Sequence, residues 1–421
     1  MLTDAAFVIN HKVKDSSFTR VRKLSFINVV LLVLQKGLKS LQNRLNEFFD
    51  KFSSIITPAT ASAFSQARSN LKHTAFIDLN KTAIVDTFYA DDVYKKWNNY
   101  RILAIDGSKI RLPESEKIKE EFGSVGTSDY KGDPSGEYNA AIASVLYDVK
   151  NRIVLDSIID PWRSSELALA IRHLEHVKTG DLILSDRNYP GYEYIGSVVK
   201  RRADCLIRCS RSSFKEARMM FADSSITSMI ATIKPHMSKK KIAALGLPER
   251  LKVRFVRVIL STGEPEVLVT TILDESFSPN DFKELYHQRW GVETYYHTIK
   301  NHLTLENFSG LTVESIKQDF YAMIFMSNLE SILTDEAEEI LDSRVTQHEQ
   351  QVNHAVSFNA LKNNVIDLLS GEEDLNVVFK KLTMLFMMNP TVKRVDRHVE
   401  RKTAPKSKLI DFYRRKKKIV Y

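Results

Sequence analysis

Tyr286, Arg289, Glu293 and Lys300 stand at intervals of three, four and seven residues in the segment YHQRWGVETYYHTIK, residues 286–300. At about 100° per residue, a continuous helix would bring all four within roughly 60° of one another. One wall would then carry a carboxylate, a phenol and two cations, which suits a metal ion held beside a phosphate. Taken by itself, the same spacing also fits a buried aromatic stripe beside a self-paired charged face.

Two aspartates add to this wall. Asp106 follows the apolar run at residues 102–105, and Asp186 follows the run at 182–184 and opens the phrase Asp186-Arg187-Asn188-Tyr189. Each is predicted at the carboxyl end of a buried strand, where open α/β sheets place their ligand sites. Either alone reads as well as a turn former or a helix cap. Converging with Glu293, they would repel one another and take up protons unless cations neutralised them. Such a cluster predicts a hard divalent metal on oxygen ligands, magnesium first and manganese as a substitute. Two ions held by Asp106, Asp186 and Glu293 could activate water for in-line attack on a phosphodiester.

With LENFSG at residues 305–310, these residues resemble the insertion-sequence DDE transposases of the Tyr-Arg-Glu-Lys signature family, the cut-and-paste enzymes of the insertion-sequence-four type. The resemblance implies a ribonuclease H-like catalytic core with a β-rich insertion, flanked by helical N- and C-terminal regions. It also implies cleavage at the element's ends and joining of the freed 3′-hydroxyls to target DNA, with a hairpin on the excised end as a further expectation. Tyr286, Arg289 and Lys300 match family positions that hold the DNA backbone near the cut, and Arg208 is a weaker candidate for the same task or for a salt bridge. Trp290 follows Arg289 as it does in the family, and packing is its expected role. The family's stacking aromatic has no tryptophan counterpart in the insertion, where Phe214, Phe221 and Phe255 are available. A nuclease that cuts without joining, and a transposase-derived DNA-binding protein without catalysis, are the alternatives.

The elements that must position these residues are read from periodicity. Apolar residues at intervals of three and four around Phe26 to Leu34, and at Leu41, Leu45 and Phe48, predict helices, and another is expected from Ser62, bringing Gln66, Arg68 and Lys72 together. From about residue 100, strands alternate with helices, predicting an α/β layer with part of its sheet parallel. The runs LKVRFVRVIL and EVLVTTIL flank STGEP as a hairpin, and helical patterns return after Gly310. The expected division is a helical DNA-binding region over 1–95, a catalytic domain over 96–315 with its insertion at 210–275, and a helical region with a basic tail over 316–421.

Composition is that of an ordinary folded protein, with 43% hydrophobic and 27% charged residues and a net charge of +9. Residues 393–421 hold twelve Lys and Arg against three acids, which equals the whole net charge and suits a polyanion. Cys205 and Cys209 support neither a disulfide framework nor a zinc site and read as small buried hydrophobes. His173 and His176 have metal-pair spacing on a predicted surface helix but lack a third ligand. No Walker-type phosphate loop occurs. No apolar run approaches the roughly 20 residues of a membrane span, so the cytosol is expected, with association to the bacterial nucleoid through double-stranded DNA. Bringing two terminal inverted repeats together would need at least two active sites, hence a homodimer on DNA.

Overall fold

The computed structural model describes residues 1–37, 39–51, 57–128, 134–370 and 373–393, so the basic tail beyond Lys393 lies outside the described residues. The chain is mixed α/β. Its strands, in chain order, are β1 (Arg101–Arg111), β2 (Ser124–Ser128), β3 (Pro134–Asp148), β4 (Ile153–Pro161), β5 (Asp181–Ser185), β6 (Asp204–Cys209), β7 (Ser228–Ile233), β8 (Leu251–Ile259) and β9 (Pro265–Thr270), followed by a short antiparallel pair of Gln350–Val352 with Pro390–Val392. Two compact units arise: a helical one from Met1–Ala90, Lys109–Ala141 and Thr298–Tyr421, and a sheet unit from Asp91–Ser108 and Ile142–His297.

In the sheet unit the order runs β3-β1-β5-β6-β9-β8-β7, with β4 on β3. β1, β5 and β6 are parallel, and each carries a continuous buried apolar run, residues 102–105, 182–184 and 205–207, as expected of strands covered on both faces. Beyond β6 the sheet turns antiparallel through β9, β8 and β7, the hairpin that STGEP predicts. Arg101 and Asp181 fix the register of β1 on β5: they are Cα partners and form a buried bidentate pair at 2.8 and 2.7 Å. Register matters here because a one-residue slip would turn Asp106 to the other face. Helices Glu166–His173 and Tyr192–Lys200 follow β4 and β5, the first capped by the Ser165 hydroxyl.

The helical unit is centred on Phe26–Leu34, apolar nearly all round and buried at seven of nine positions, as expected of a helix inside a core. Around it lie Leu41–Asp50, Ala61–Arg68, the long Val313–Ser343 helix, His354–Ser370 and Leu375–Met388. Arg68, expected beside Gln66 and Lys72, is instead buried. Its guanidinium donates to Gln318, Ser309, the Ser315 carbonyl and Asp319 at 2.6 to 2.9 Å. Asp319 has no solvent exposure, and the buried Lys36 ammonium lies 3.8 Å away. Among the described residues no helix is long and apolar enough to cross a membrane.

Candidate active site

The aspartates lie within β1 and just past the end of β5, neighbouring strands of the sheet unit. The β1–β5 ladder ends at the pair Ala104 and Leu184, and Asp106 and Asp186 each lie two residues further on. Asp186 follows β5 directly, as expected. Asp106 corrects the expectation in one respect: β1 continues to Arg111, so this acid sits inside a strand, past the part paired with β5. The Gly107 amide donates to Asp106 Oδ1 at 2.9 Å, and the Asn188 amide donates to Asp186 Oδ1 at 2.8 Å. The Tyr296 hydroxyl donates to the Asp106 carbonyl at 3.2 Å and to the Ala143 carbonyl at 3.0 Å, anchoring the strand behind the carboxylate.

The third acid arrives on a helix, but the single continuous helix expected over residues 286–300 is broken. Pro279–His287 ends before Trp290–Asn301 begins, and the amides of Gln288, Arg289, Gly291 and Val292 each reach back only three residues. Gly291 lies in the first turn of the second helix, where glycine lowers helix propensity and a Cβ would lie 3.4 Å from Val149. Tyr286 therefore lies in the last turn of the first helix, Arg289 sits in the joint, and Glu293 lies in the first turn of the second.

Around the joint the charges still meet. Arg289 Nη2 lies 2.7 Å from Glu293 Oε1, and its guanidinium is 5.8 Å from the Tyr286 ring and 5.3 Å from the Trp290 ring. Burial pushes the Asp106 carboxyl up to about 7, with the charges of Asp186 and Glu293 adding to it and the Gly107 amide and Arg289 opposing it. Asp106, Asp186 and Glu293 thus share one electrostatic neighbourhood, with Arg289 as the cation facing Asp106. Sequence reasoning missed a fourth acid. The Glu166 carboxyl is raised above its usual range by burial and by Asp186, against a hydrogen bond from the Asn188 side chain. Its only sequence signal was its place after Ser165, which reads as an ordinary first-turn acid.

Three buried polar atoms here have no hydrogen-bond partner among the described residues: the Tyr189 and Tyr286 hydroxyls and Arg289 Nε. Such atoms cost about 1–3 kcal/mol each when left unpaired, a cost that water or a polar ligand would remove. The donor set fits a divalent metal in kind, being carboxylate oxygen throughout with one facing guanidinium for several negative charges. It is not gathered in advance, because among the described residues no three His, Cys, Asp or Glu side chains are close enough to share one ion. Glu293 is held by Arg289, so an ion at this carboxylate would have to displace that partner.

Other sequence candidates lie elsewhere. Lys300 belongs to the helical unit, where its ammonium donates to the Lys109 carbonyl at 2.6 Å and lies 3.8 Å from Glu306. Arg208 pairs with Glu266 at 2.8 Å, the salt bridge that was its competing reading. Trp290 is 44% exposed, which corrects the expectation that it packs: its position at the start of a helix leaves one face of the indole open. Phe255 is fully buried and meets Phe214 edge-on at 5.5 Å, so it has no face free for a base. His173 is buried rather than on a surface, with Asp156 at 2.7 Å and Ser144 at 2.9 Å from its two ring nitrogens. Both cysteines are free and buried.

The family described as the transposase DDE domain matches residues 97–329. The chain belongs to that family. It is 28% identical over 91 residues to the InsZ protein of Escherichia coli (strain K12), which carries a transposase name, a match covering 22% of this chain and 29% of that relative's length. The solved synaptic complex of piggyBac transposase with hairpin DNA superposes with a TM-score of 0.42 at 10% identity, covering 96% of this chain and 84% of that one.

Proposed function

We propose that the protein is a cut-and-paste DNA transposase of the Tyr-Arg-Glu-Lys, insertion-sequence-four type, with a ribonuclease H-like core. The observation that supports this reading is that the buried Asp106 carboxyl is acted on by the charges of Asp186, Glu293 and Arg289, although Asp106 and Glu293 lie 187 positions apart in the chain. In this reading residues 1–95 bind the element's terminal repeats, 96–315 form the catalytic domain with its insertion at 210–275, and 316–421 supply a helical region with a basic tail.

Asp106, Asp186 and Glu293 would hold magnesium, or manganese in its place. A metal held by these carboxylates would supply Lewis-acid chemistry, lowering the pKa of an attacking water and stabilising the leaving 3′ oxygen. Arg289 and the Tyr286 hydroxyl supply donors to the phosphate beside the cut, and the unpaired Nε and hydroxyl support that role. Lys300 and Arg208 are further backbone contacts on this reading, each after leaving its present partner. A freed 3′-hydroxyl replaces water in the second step, so one centre both cuts and joins. Two copies of the chain hold two ends, in the bacterial cytoplasm at the nucleoid.

The test is incubation of the full chain with its own element's ends and a target plasmid in magnesium. Cleavage followed by 3′-end joining is expected. Cleavage without joining would replace the reading with a nuclease, and end binding without cleavage would replace it with a DNA-binding protein.

A further inference from the structure

We propose that His173 is a positioning residue for Asp106, acting through the Ser144 hydroxyl on the backbone of β1; its part in cutting rests on the function proposed above. His173 and His176 stand at metal-pair spacing in the sequence, but both rings turn to one carboxylate. Asp156 Oδ2 lies 2.7 Å from His173 Nδ1 and 3.6 Å from His176 Nε2. Asp156 belongs to β4, Ser144 to β3 and Asp106 to β1, and in the sheet β4 pairs with β3 and β3 with β1. His173, the last residue of the helix after β4, bridges the first two, its Nε2 lying 2.9 Å from Ser144 Oγ. The Ser144 hydroxyl then donates to the Asp106 carbonyl at 3.4 Å. A chain of polar contacts thus runs from Asp156 to the peptide of the acid.

Hydrogen-bond arithmetic decides what this chain does. An ionised carboxylate only accepts, so His173 Nδ1 carries a proton toward Asp156. Ser144 has one proton to give. When Nε2 is also protonated, it donates to Ser144 Oγ and the serine proton goes to the Asp106 carbonyl. When Nε2 is bare, the serine proton turns to the ring. Of the two hydroxyls that reach it, the carbonyl then keeps only that of Tyr296, whose single proton also faces the Ala143 carbonyl at 3.0 Å. With both ring nitrogens protonated, the buried ring is balanced by Asp156 and each hydroxyl has its own acceptor.

The ordinary reading of a fully buried histidine between an acid and a serine is a satisfied core network with no further duty. That reading needs the chain to end at Ser144. It ends instead on the carbonyl of Asp106, which also takes the Tyr296 hydroxyl from the helix that carries Glu293. One peptide is therefore held from β3 and from that helix, and the carboxylate attached to it moves with it. Small displacements of a reacting group are costly to rate, which gives the network a use beyond packing.

Two amide variants separate these readings. In His173→Asn the amide nitrogen takes the place of Nδ1 and reaches Asp156 but not Ser144. In His173→Gln it takes the place of Nε2 and reaches Ser144 but not Asp156. Hydrogen–deuterium exchange of residues 101–108, in the full chain without DNA or metal, reads the strand directly, with β8 as the internal reference and thermal unfolding as the check on folding. Cutting and binding of end DNA are measured beside it. The expected result is that His173→Asn and Ser144→Ala exchange β1 about tenfold faster than the wild type and cut about tenfold more slowly, with β8 exchange and end binding kept. His173→Gln should recover most of both. A network that only fills the core predicts that Asn and Gln behave alike, and that result overturns the inference. Wild-type cutting by His173→Asn and Ser144→Ala overturns it alone. If β1 exchange follows the expected pattern while the wild type does not cut, the relay stands and the function proposed above fails.

Discussion

Arg289 and Glu293 are four residues apart across a broken helix, and the 2.7 Å ion pair between them occupies the acid on which metal binding would draw. Arg289 and a bound metal would therefore compete for Glu293, and a backbone phosphate drawn to Arg289 would release Glu293 to the metal. Arg289→Ala is expected to raise manganese affinity several-fold in the absence of DNA, since a competing positive charge is gone. The same substitution should lower cutting of end DNA by tenfold or more, about 1.4 kcal/mol or above. Unchanged manganese affinity would remove the competition from the mechanism.

Asp106 gives the protein a pH signature. Its folded-state carboxyl, pushed up to about 7, binds a proton more tightly than in the unfolded chain at about 3.9. Between those values the folded state holds more protons, so stability falls as pH rises from about 4 to 7. At about 1.4 kcal/mol per unit, the upper bound is roughly 4 kcal/mol. In chelator, Asp106→Asn should flatten this fall, read by urea unfolding at pH 5 and pH 8. A wild type and variant with parallel pH profiles would contradict the burial assigned to this carboxyl.

Metal binding should show the same group from the other side. Because an ion requires ionised Asp106, manganese affinity should climb as pH rises toward about 7 and then level off, with proton release on binding. Calorimetry in two buffers of different ionisation enthalpy measures that release directly, and zero release at pH 6 would count against Asp106 as a ligand.

Tyr296 supports the site through the backbone. Tyr296→Phe leaves the Asp106 and Ala143 carbonyls without this donor and should destabilise the protein by about 1–3 kcal/mol. Denaturant unfolding checks it, and a change within about 0.5 kcal/mol would mean the strand needs no such anchor.

In the helical unit, Arg68→Ala would leave the buried Asp319 with Lys36 as its remaining cation at 3.8 Å. Loss of one partner of a buried pair is expected to destabilise by about 3–5 kcal/mol. Thermal unfolding of the purified variant tests this, and a wild-type midpoint would show that Lys36 suffices.

The strands were legible because residues 102–105, 182–184 and 205–207 are continuous apolar runs, the pattern of parallel strands covered on both faces. The positions of the two aspartates just past these runs were legible with them, although an acid there reads equally well as a turn former or a cap. The break at residues 288–289 was hidden because the three-and-four spacing runs straight through it, and only Gly291 hinted at a stop. Glu166 was hidden by its own context: after a capping serine, an acid has a sufficient local reason to be present. Arg68 turned inward because its partner Asp319 lies 251 residues away, a pairing that no local period encodes.

The most direct test is magnesium-dependent cleavage of the element's own end DNA by the wild type, Asp186→Asn and Glu293→Gln, with end binding measured in parallel. Each variant should bind ends nearly as the wild type does, and each should lose several kcal/mol of transition-state stabilisation, a fall of about 10³-fold in cutting. Cutting at the wild-type rate by either variant, or in chelator, would contradict a centre built from these acids.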